Sequence, residues 1–465
     1  MKKHNILKVV LFSLLAVVVL TWIFPTSTFS TTLTVGKRAQ MGIFDIFSYF
    51  GQGFQYFYQI LIYALIVGGF YGVLSKIEAY RKLLDKIVDS FKGREILFIS
   101  IVTIIFALLA GGVGLSYILI FLFPFVISIL LLMGFDKLLA ATVTVGSVLV
   151  GVMGSLYTTD VNYYLNNYLS LGINDEIITK IIVLVISVAI LLFNVIRYAK
   201  KTKAKKVKEE EVEEYVPAKT KTKAKTWPLV VVIDVFLLVI ALAMFSWASV
   251  FGLSFFDNIT TAVTKFSIGG FPIFGKLLGS VQSFGNWDIM TVGGCLVIAT
   301  IILALCYKVK VDDFFSSFGK GVKKSLTPAF IMYFIYLILI IVTYNNFQLT
   351  IYSWILNLSK GFNVITTTLT AFLSSLFNVE LLYSINSVGP YLVSIVTDTS
   401  AYPLIGIIFQ SIYGLVMLVA PTSVILMGTL AYLDIPYGKW LKHIWKVFVE
   451  LLVVLLIIFT IVALV

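Results

Sequence analysis

The chain alternates long apolar runs with short polar segments. Four of the runs approach the roughly 20 residues that a helix needs to cross about 30 Å of hydrocarbon; they are Ile6–Phe24, Ile177–Ile196, Leu229–Trp247 and Val447–Val465. The other apolar stretches are shorter or are interrupted by glycine, proline and polar residues. This pattern predicts an all-α polytopic membrane protein with about nine spans, whose main partner is the lipid bilayer.

The first apolar run follows a basic start, as the core of a signal peptide does. The run is longer than such a core, and Trp22 and Pro25 suit an interfacial anchor and a helix stop. We therefore interpret it as a retained helix.

Composition supports the membrane class, because 60% of the residues are hydrophobic and only 12% are charged. The net charge of +12 lies mostly in loops beside apolar runs, which indicates membrane topology and not binding to nucleic acid. Neither a phosphate-binding glycine loop nor an HExxH motif occurs in the sequence. We expect a protein that is not an enzyme and that has no metal centre or organic cofactor.

Residues 197–227 form a basic linker between two membrane halves, 1–196 and 228–465. Its Arg197–Lys225 part carries eleven Lys and Arg residues against five Glu. Low complexity predicts a solvated tether without a partner; the alternative is an electrostatic contact with lipid or protein. Threading the spans with the N-terminus and the linker in the cytoplasm places all but six of the 35 Lys and Arg residues on that side, as expected for a multi-pass plasma-membrane protein.

The same threading requires two stretches, Ile96–Gly134 and about Gly361–Thr397, to enter and leave on one face. Breaks are predicted at Gly111–Tyr117 and Ser384–Pro390. Each stretch is either a re-entrant hairpin, which we prefer, or two full crossings with a tight turn.

The two halves then have the same order of span, hairpin, interrupted span and final span, in Ile60–Ile196 and Leu326–Val465. The threading makes them run in opposite directions. Inverted structural repeats with two re-entrant hairpins and two broken transmembrane helices are typical of secondary transporters.

The interrupted spans are the predicted site. Ala140–Asp160 contains Gly151, Gly154, Ser155 and Thr158, and Leu404–Leu433 is broken at Ala420–Ser423. Pro421 should open the second helix, so that freed carbonyls and the Thr422 and Ser423 hydroxyls hold Na⁺ while helix amides face an anion. The alternative is that the glycines serve close packing and the proline only kinks the helix.

Polar and ionisable residues near the breaks complete the predicted binding set. It includes Ser384, Asn386, Ser387 and Gly389 at the second hairpin, and two acids, Glu380 and Asp160. Either acid would relay a proton or attract a cationic substrate, because a charge within the membrane is costly. The alternative for both is a cap in an interfacial loop.

Four stretches resemble the DcuC and YfcC family of carriers for four-carbon dicarboxylates and basic amino acids. They are TWIFPTSTF at Thr21–Phe29, Leu65–Leu84 with Phe91–Glu95, Met133–Ser155, and APTSVILMGTLAYLDIPYGKWLK at Ala420–Lys442. The resemblance implies a carrier of the ion-transporter superfamily, often a homodimer that works by an elevator-like motion. It supports Thr422, Ser423, Gly151, Gly154 and Ser155 as site residues.

The sequence departs from the family where substrate would bind. The family's paired acids after the first hairpin's glycines are replaced by Ser116–Leu119, and its Asn-Pro-Phe by Thr158–Asn162. We therefore expect an ion-coupled symporter or an exchanger of a small carboxylate-bearing solute, either a dicarboxylate or an amino acid, with Na⁺ or H⁺ as the coupling ion. The alternative is a non-transporting membrane scaffold or accessory subunit that keeps the carrier fold.

Overall fold

The computed structural model describes residues 5–158, 167–172, 174–202, 212–219, 223–359 and 361–464. The structure is 76% helical. Nine helices in the described part of the chain are long and apolar enough to cross a membrane. The predicted all-α polytopic class with about nine spans is confirmed.

Seven helices lie wholly within the described residues of the first half. They are α1 (Asn5–Ile23), α2 (Ile43–Leu74), α3 (Glu78–Ser90), α4 (Glu95–Val113), α5 (Phe123–Leu132), α6 (Lys137–Met153) and α7 (Ile177–Thr202). A 3-10 turn at Ile118–Leu122 leads into α5, and α6 contains a π turn at Thr142–Gly146.

The second half contains shorter surface helices among its spans. The helices are α8 (Trp227–Met244), α9 (Trp247–Phe251), α10 (Phe255–Lys265), α11 (Ile273–Leu278), α12 (Ile289–Cys306), α13 (Val311–Asn345), α14 (Gln348–Leu356), α15 (Val364–Phe377), α16 (Leu381–Ile395), α17 (Tyr402–Met417), α18 (Val424–Tyr432) and α19 (Tyr437–Leu464). A 3-10 turn, Thr399–Ala401, precedes α17.

A short β-hairpin follows α1. Its antiparallel strands, β1 (Pro25–Phe29) and β2 (Leu33–Arg38), were not predicted, because they are short and carry no long apolar run. The Thr350 hydroxyl of α14 donates to the Pro25 carbonyl at 2.7 Å and also pairs with the Ser27 hydroxyl. The hairpin is thereby attached to the second half of the protein.

The long helices α2 and α13 pack closely through glycines. A Cβ atom on Gly321 would lie 2.1 Å from the Gly68 carbonyl oxygen, and one on Gly72 would lie 2.2 Å from that of Ser317. Larger residues would separate the two backbones, so these positions set the helix–helix distance. The pair forms one wall of the central cavity described below.

The first predicted hairpin contains a break at the expected place. Helix α4 ends at Val113, Gly114 turns the chain with φ +81°, and helical structure resumes at Ile118. The predicted break at Gly111–Tyr117 overlaps this turn. Its re-entrant character stays a prediction.

The predicted position of the second hairpin's break is wrong. Ser384–Gly389 lies inside α16, and Pro390 is also helical. The chain instead leaves helical geometry between α15 and α16, where Asn378 and Glu380 are extended. Proline is tolerated in a membrane helix when packing satisfies the freed carbonyl, so it does not by itself locate a break.

The interrupted spans differ from each other. Helix α6 is continuous to Met153 and becomes non-helical from Gly154 to Thr158. The second span is divided, because α17 ends at Met417 and α18 begins at Val424, with Pro421 between them. The predicted break at Ala420–Ser423 is therefore confirmed, whereas the inverted relation of the halves stays a prediction.

The linker is not a contact-free tether throughout. Within its described residues 212–219, Tyr215 and Val216 are only 7% and 5% exposed. The prediction of a solvated tether is wrong for this segment, because these two apolar residues of a charged sequence pack against the membrane helices and are buried there.

Candidate functional site

The two hairpin breaks approach each other at Tyr336 of α13. The Tyr336 hydroxyl donates to the Glu380 carboxylate at 2.6 Å and lies 3.5 Å from the hydroxyl of Tyr117. Tyr117 belongs to the first break and Glu380 to the second. The Tyr336 ring stacks on Phe57, where α2 leaves helical geometry, with 4.4 Å between ring centroids. A kink in α2 and a hydroxyl on α13 therefore join both breaks.

Polar side chains also hold the rest of the second break. The Asn378 amide donates to the Gln348 side-chain oxygen at 3.3 Å and to the Ser374 carbonyl at 3.0 Å. The Tyr413 hydroxyl of α17 donates to the Val379 carbonyl at 2.8 Å. Extended residues between two helices leave their carbonyls unpaired, and the Tyr413 hydroxyl satisfies that of Val379, while the Asn378 side chain ties the break to α14 and to the last turn of α15.

Helix α2 satisfies the carbonyls that follow the first break. The hydroxyls of Tyr63 and Tyr71 donate to the carbonyls of Ile118 at 2.9 Å and of Phe121 at 2.6 Å. Tyrosine hydroxyls therefore contact both hairpin breaks. Those of α2 bind the first break, that of α17 binds the second, and Tyr336 of α13 lies between the two.

The two interrupted spans meet at the end of α6. The Gln410 amide of α17 donates to the Ser155 carbonyl at 2.9 Å, and the Ser411 hydroxyl donates to the Met153 carbonyl at 2.9 Å. A side chain at Gly414 would collide with Met153, because a Cβ would lie 2.7 Å from its amide nitrogen. One broken helix thus caps the carbonyl end of the other.

The break at Pro421 is largely satisfied by protein groups. The Trp440 indole donates to the Leu418 carbonyl at 2.8 Å, and the Tyr437 hydroxyl donates to the Val419 carbonyl. The Thr422 hydroxyl donates to the Leu376 carbonyl, in the last turn of α15, at 3.1 Å. Ser423 precedes the first residue of α18 and is 1% exposed. Proline thus produced the expected break, and α19 caps two of the freed carbonyls.

The predicted residues of α16 mostly hold the second hairpin together. Ser384 is fully buried and pairs with Ser374 of α15, and Ser387 donates to the Ser384 carbonyl at 2.8 Å. A Cβ on Gly389 would lie 3.1 Å from the Tyr168 ring. The Asn386 side-chain oxygen is buried and lacks a hydrogen-bond partner among the described residues. Ligand contacts by these residues stay predictions.

The predicted residues of α6 lie in a tight crossing. A Cβ on Gly151 would lie 2.3 Å from the Ala107 carbonyl oxygen of α4, and one on Gly154 would lie 2.5 Å from the Leu184 Cβ of α7. The Ser155 hydroxyl donates to the Val152 carbonyl at 3.0 Å. Close packing therefore explains both glycines. Asp160 lies outside the described residues.

Several buried polar atoms in this region have no hydrogen-bond partner within the described ranges. They are the hydroxyl oxygens of Ser147, Thr158 and Thr368 and the amide oxygens of Asn378, Asn386 and Gln410. A buried polar group without a partner costs about 1–3 kcal/mol, so such atoms are rare unless a ligand, an ion or water binds them. Their location at the hairpin breaks and interrupted spans makes this region the candidate site.

A cavity lies on the predicted cytoplasmic side of these breaks, not between Ser384–Gly389 and Thr422–Ser423. It has a volume of about 460 Å³ and is bounded by α2, α5, α13, α18 and the linker segment. No group of three metal-ligating side chains occurs in the part of the chain that the structure describes.

Sequence reasoning selected Glu380 and Thr422 but missed Tyr336, Gln410 and Asn378. Gln410 is an uncharged polar residue in the apolar run IIFQSIYG, and Asn378 stands two residues before Glu380. A polar amide within an apolar run is the signal that would have selected these two. Tyr336 carries no such signal, because tyrosines are common in this chain.

Comparisons with known proteins found two similar solved structures and one matching family model. The chain is similar to two solved structures, each at 13% sequence identity. For the YdaH transporter of Alcanivorax borkumensis, the match covers 99% of this chain and 98% of that one, with a TM-score of 0.41. For MtrF of Neisseria gonorrhoeae, from a class of antimetabolite efflux pumps, the match covers 99% and 94%, with a TM-score of 0.40. No curated protein matches the sequence.

A family model described as "DcuC: C4-dicarboxylate anaerobic carrier" matches residues 4–465. This match spans nearly the whole chain, including both hairpin breaks and both interrupted spans, and it supports a membrane carrier and not an enzyme. The protein therefore belongs to the DcuC family of C4-dicarboxylate carriers.

Proposed function

We propose that the protein is a secondary active transporter of a C4-dicarboxylate, working by ion-coupled symport or by exchange. The observation that carries this proposal is the group of buried, unpartnered polar atoms among the described residues at the hairpin breaks and interrupted spans. The hydroxyls of Ser147, Thr158 and Thr368 can donate to a carboxylate of a small organic acid, whereas the amide oxygens only accept and suit a coupling cation or a hydroxyl of the solute.

A dicarboxylate is favoured over a basic amino acid. A basic side chain would need an acidic partner, and the carboxylate of Glu380 already accepts a hydrogen bond from Tyr336. Glu380 also precedes the first residue of α16, where a negative charge is stabilised by the helix dipole. Its charge therefore has a structural use at the hairpin break, and the family description also names a C4-dicarboxylate.

We propose Na⁺ as the coupling ion and place it at Thr422 and the Leu376 carbonyl. Their oxygens are 3.1 Å apart, and Leu376 lies in the C-terminal turn of α15, whose dipole attracts cations. The Leu376 carbonyl also accepts a hydrogen bond, but its donor is the Thr422 hydroxyl, whose oxygen can itself bind a cation. The Leu418 carbonyl is less suitable, because its donor is the Trp440 indole N–H, which has no free electron pair for a cation. A carboxylate of the substrate would face the amide end of α18 beyond Ser423.

The test is uptake of labelled succinate, malate, arginine and ornithine into proteoliposomes, with and without a Na⁺ gradient and with and without internal counter-substrate. We expect uptake of the two dicarboxylates only, driven by Na⁺. Arginine or ornithine uptake without dicarboxylate uptake would contradict the substrate class. Absence of flux for all four solutes would favour the non-transporting scaffold.

Thr422→Ala tests the ion site. Removing one ligand oxygen should raise the Na⁺ concentration for half-maximal uptake about tenfold, as loss of about 1.4 kcal/mol would do. Thr460→Ala is the matched control, because Thr460 also donates to a backbone carbonyl, at 2.7 Å, but is exposed on α19. Equal Na⁺ dependence in both variants would exclude Thr422 as a ligand; proton-driven uptake insensitive to Na⁺ would transfer the coupling role to Glu380.

The proposal includes a plasma-membrane homodimer with a cytoplasmic N-terminus and linker. Labelling of a single cysteine introduced at Lys219, in intact and in permeabilised cells, tests the side of the linker. Reaction in intact cells would reverse the orientation.

A further inference from the structure

The linker forms part of the wall of the central cavity. The lining comes from α2, α5, α13 and α18 together with residues 213–218 of the linker. A volume of about 460 Å³ is enough for a small organic acid. The linker therefore occupies the mouth of a space in which a solute would fit.

Specific hydrogen bonds fix this segment in the mouth. The Ser128 hydroxyl of α5 donates to the Tyr215 carbonyl at 2.9 Å, and the Tyr215 hydroxyl donates to the Tyr432 carbonyl of α18 at 3.1 Å. Arg81 donates to the Pro217 carbonyl at 2.7 Å. Burial, with Glu214 beside it, raises the pKa of Tyr215 far above its usual range, so its hydroxyl stays protonated as a donor.

Two lysines surround the same segment. Lys137 lies 3.5 Å from the Glu214 carboxylate, and Lys324 donates to the Glu214 carbonyl. Their ammonium groups are 4.6 and 4.7 Å from the centroid of the Tyr215 ring. These are charge-assisted and cation–π contacts, and those of Lys324 join the linker to α13.

The charges that line the cavity are divided unequally. Among the described lining residues, both acids, Glu213 and Glu214, belong to the linker, while Lys76, Lys320 and Lys324 belong to the walls. Without the linker, the lining would lose both of its acids and keep Lys320, Lys324 and Lys76, of which Lys76 lies 3.9 Å from the Asp313 carboxylate. Such a surface attracts organic anions.

The linker docks on a pair of helices that are packed together. Tyr215 contacts Lys324 on α13 and Tyr432 on α18. The two helices pack directly on each other, since a Cβ atom on Gly428 of α18 would lie 2.0 Å from the Met332 methyl group of α13. The Lys324 ammonium group also lies 5.6 Å from the centroid of the Tyr432 ring, so Tyr215 adds to an existing contact between α13 and α18.

We propose that the cytoplasmic mouth of the cavity is a carboxylate-binding site formed by Lys137, Lys320 and Lys324, and that the linker segment Val212–Pro217 occupies it as a tethered competitor of the substrate. Glu213 and Glu214 take the place of the two carboxylates, and Tyr215 anchors the segment. The competition rests on the proposed function; the docking of the linker does not. A dicarboxylate at the cytoplasmic face displaces the linker and releases transport.

The first experiment compares initial rates of succinate transport in the full-length protein. Tyr215→Ala removes the anchor and should raise the rate about tenfold at low cytoplasmic succinate, the effect of losing one buried aromatic contact. The double variant Glu213→Gln, Glu214→Gln keeps the size and shape of both side chains and removes their charges. It should also raise the initial rate of succinate transport. Its control is Glu209→Gln with Glu210→Gln, which changes the linker charge equally at residues outside the described ranges. Unchanged or lower rates in both test variants, or equal activation in the control, overturn the proposal.

The second experiment does not need transport. Trypsin cleavage after Lys219 and Lys223 in the purified protein reports whether the linker is docked. Succinate should accelerate cleavage of the wild-type protein several-fold, and Tyr215→Ala should be cleaved as fast without succinate. If neither the wild-type protein nor any variant transports succinate, the proposed function fails. Faster trypsin cleavage in the presence of succinate would still support the anion site in that case. Cleavage that neither succinate nor Tyr215→Ala changes overturns it.

Discussion

The hydrogen bond between Tyr336 and Glu380 provides a sharp test of how the two hairpin breaks are held. Tyr336→Phe removes only a hydroxyl, because the ring stacked on Phe57 at 4.4 Å is retained. Tyr336 is 3% exposed, so water does not easily replace the lost donor. The change therefore removes the hydrogen bond to Glu380 and the longer contact to the Tyr117 hydroxyl, and a double-mutant cycle with Glu380 separates the two.

The expected magnitude follows from the acceptor. A hydrogen bond to a carboxylate contributes about 1.5–3 kcal/mol, whereas one between neutral groups contributes about 0.5–1.5 kcal/mol. Tyr413→Phe is the matched control, because its hydroxyl donates to the neutral Val379 carbonyl of the same break at 2.8 Å. Tyr336→Phe should lower the free energy of unfolding by more than Tyr413→Phe does.

The assay is reversible unfolding in mixed micelles of mild detergent and dodecyl sulfate, with wild type, Tyr336→Phe, Glu380→Gln and the double variant. The cycle should give a coupling energy of about 1.5 kcal/mol or more. Additivity within about 0.5 kcal/mol would refute the reasoning, because the two groups would then not interact.

Two further pairs of variants test the packing around the site. A Cβ on Gly111 would lie 2.4 Å from the Gly151 carbonyl oxygen, whereas one on the adjacent Gly112 meets no atom within 4 Å. In thermal unfolding, Gly111→Ala should therefore lower the free energy of unfolding by about 1–3 kcal/mol, and Gly112→Ala should raise it by up to about 1 kcal/mol. An increase in both variants would contradict the close crossing of α4 and α6. Trp440→Phe should lower the free energy of unfolding by about 1–3 kcal/mol, because the buried Leu418 carbonyl loses its hydrogen-bond donor. Trp445→Phe, at a 53% exposed position, should change stability by less than about 0.5 kcal/mol, and equal effects would exclude the indole as a cap.

The sequence predicted local breaks in the helices better than contacts between segments that are distant in the chain. Pro421 marked a real break in the second interrupted span, and Gly114 lies within the first predicted hairpin break. Pro390 was misleading, because α16 continues through it. Asn378 and Glu380 are the extended residues instead. Tyrosine donors from α13 and α17 stabilise this break, and the Gln348 side-chain oxygen of α14 accepts from Asn378.

The sequence by itself determined the membrane class, the approximate number of spans and the positions of two breaks. Apolar run length and the effects of glycine and proline on the backbone are local properties, so no tertiary contact is needed to predict them. Only the tertiary structure decided that Gln410 caps Ser155, that Tyr336 reaches Glu380 and that Tyr215 enters the cavity. Each of these contacts joins residues far apart in the chain, and a buried polar group takes whichever partner the packing of helices brings within reach.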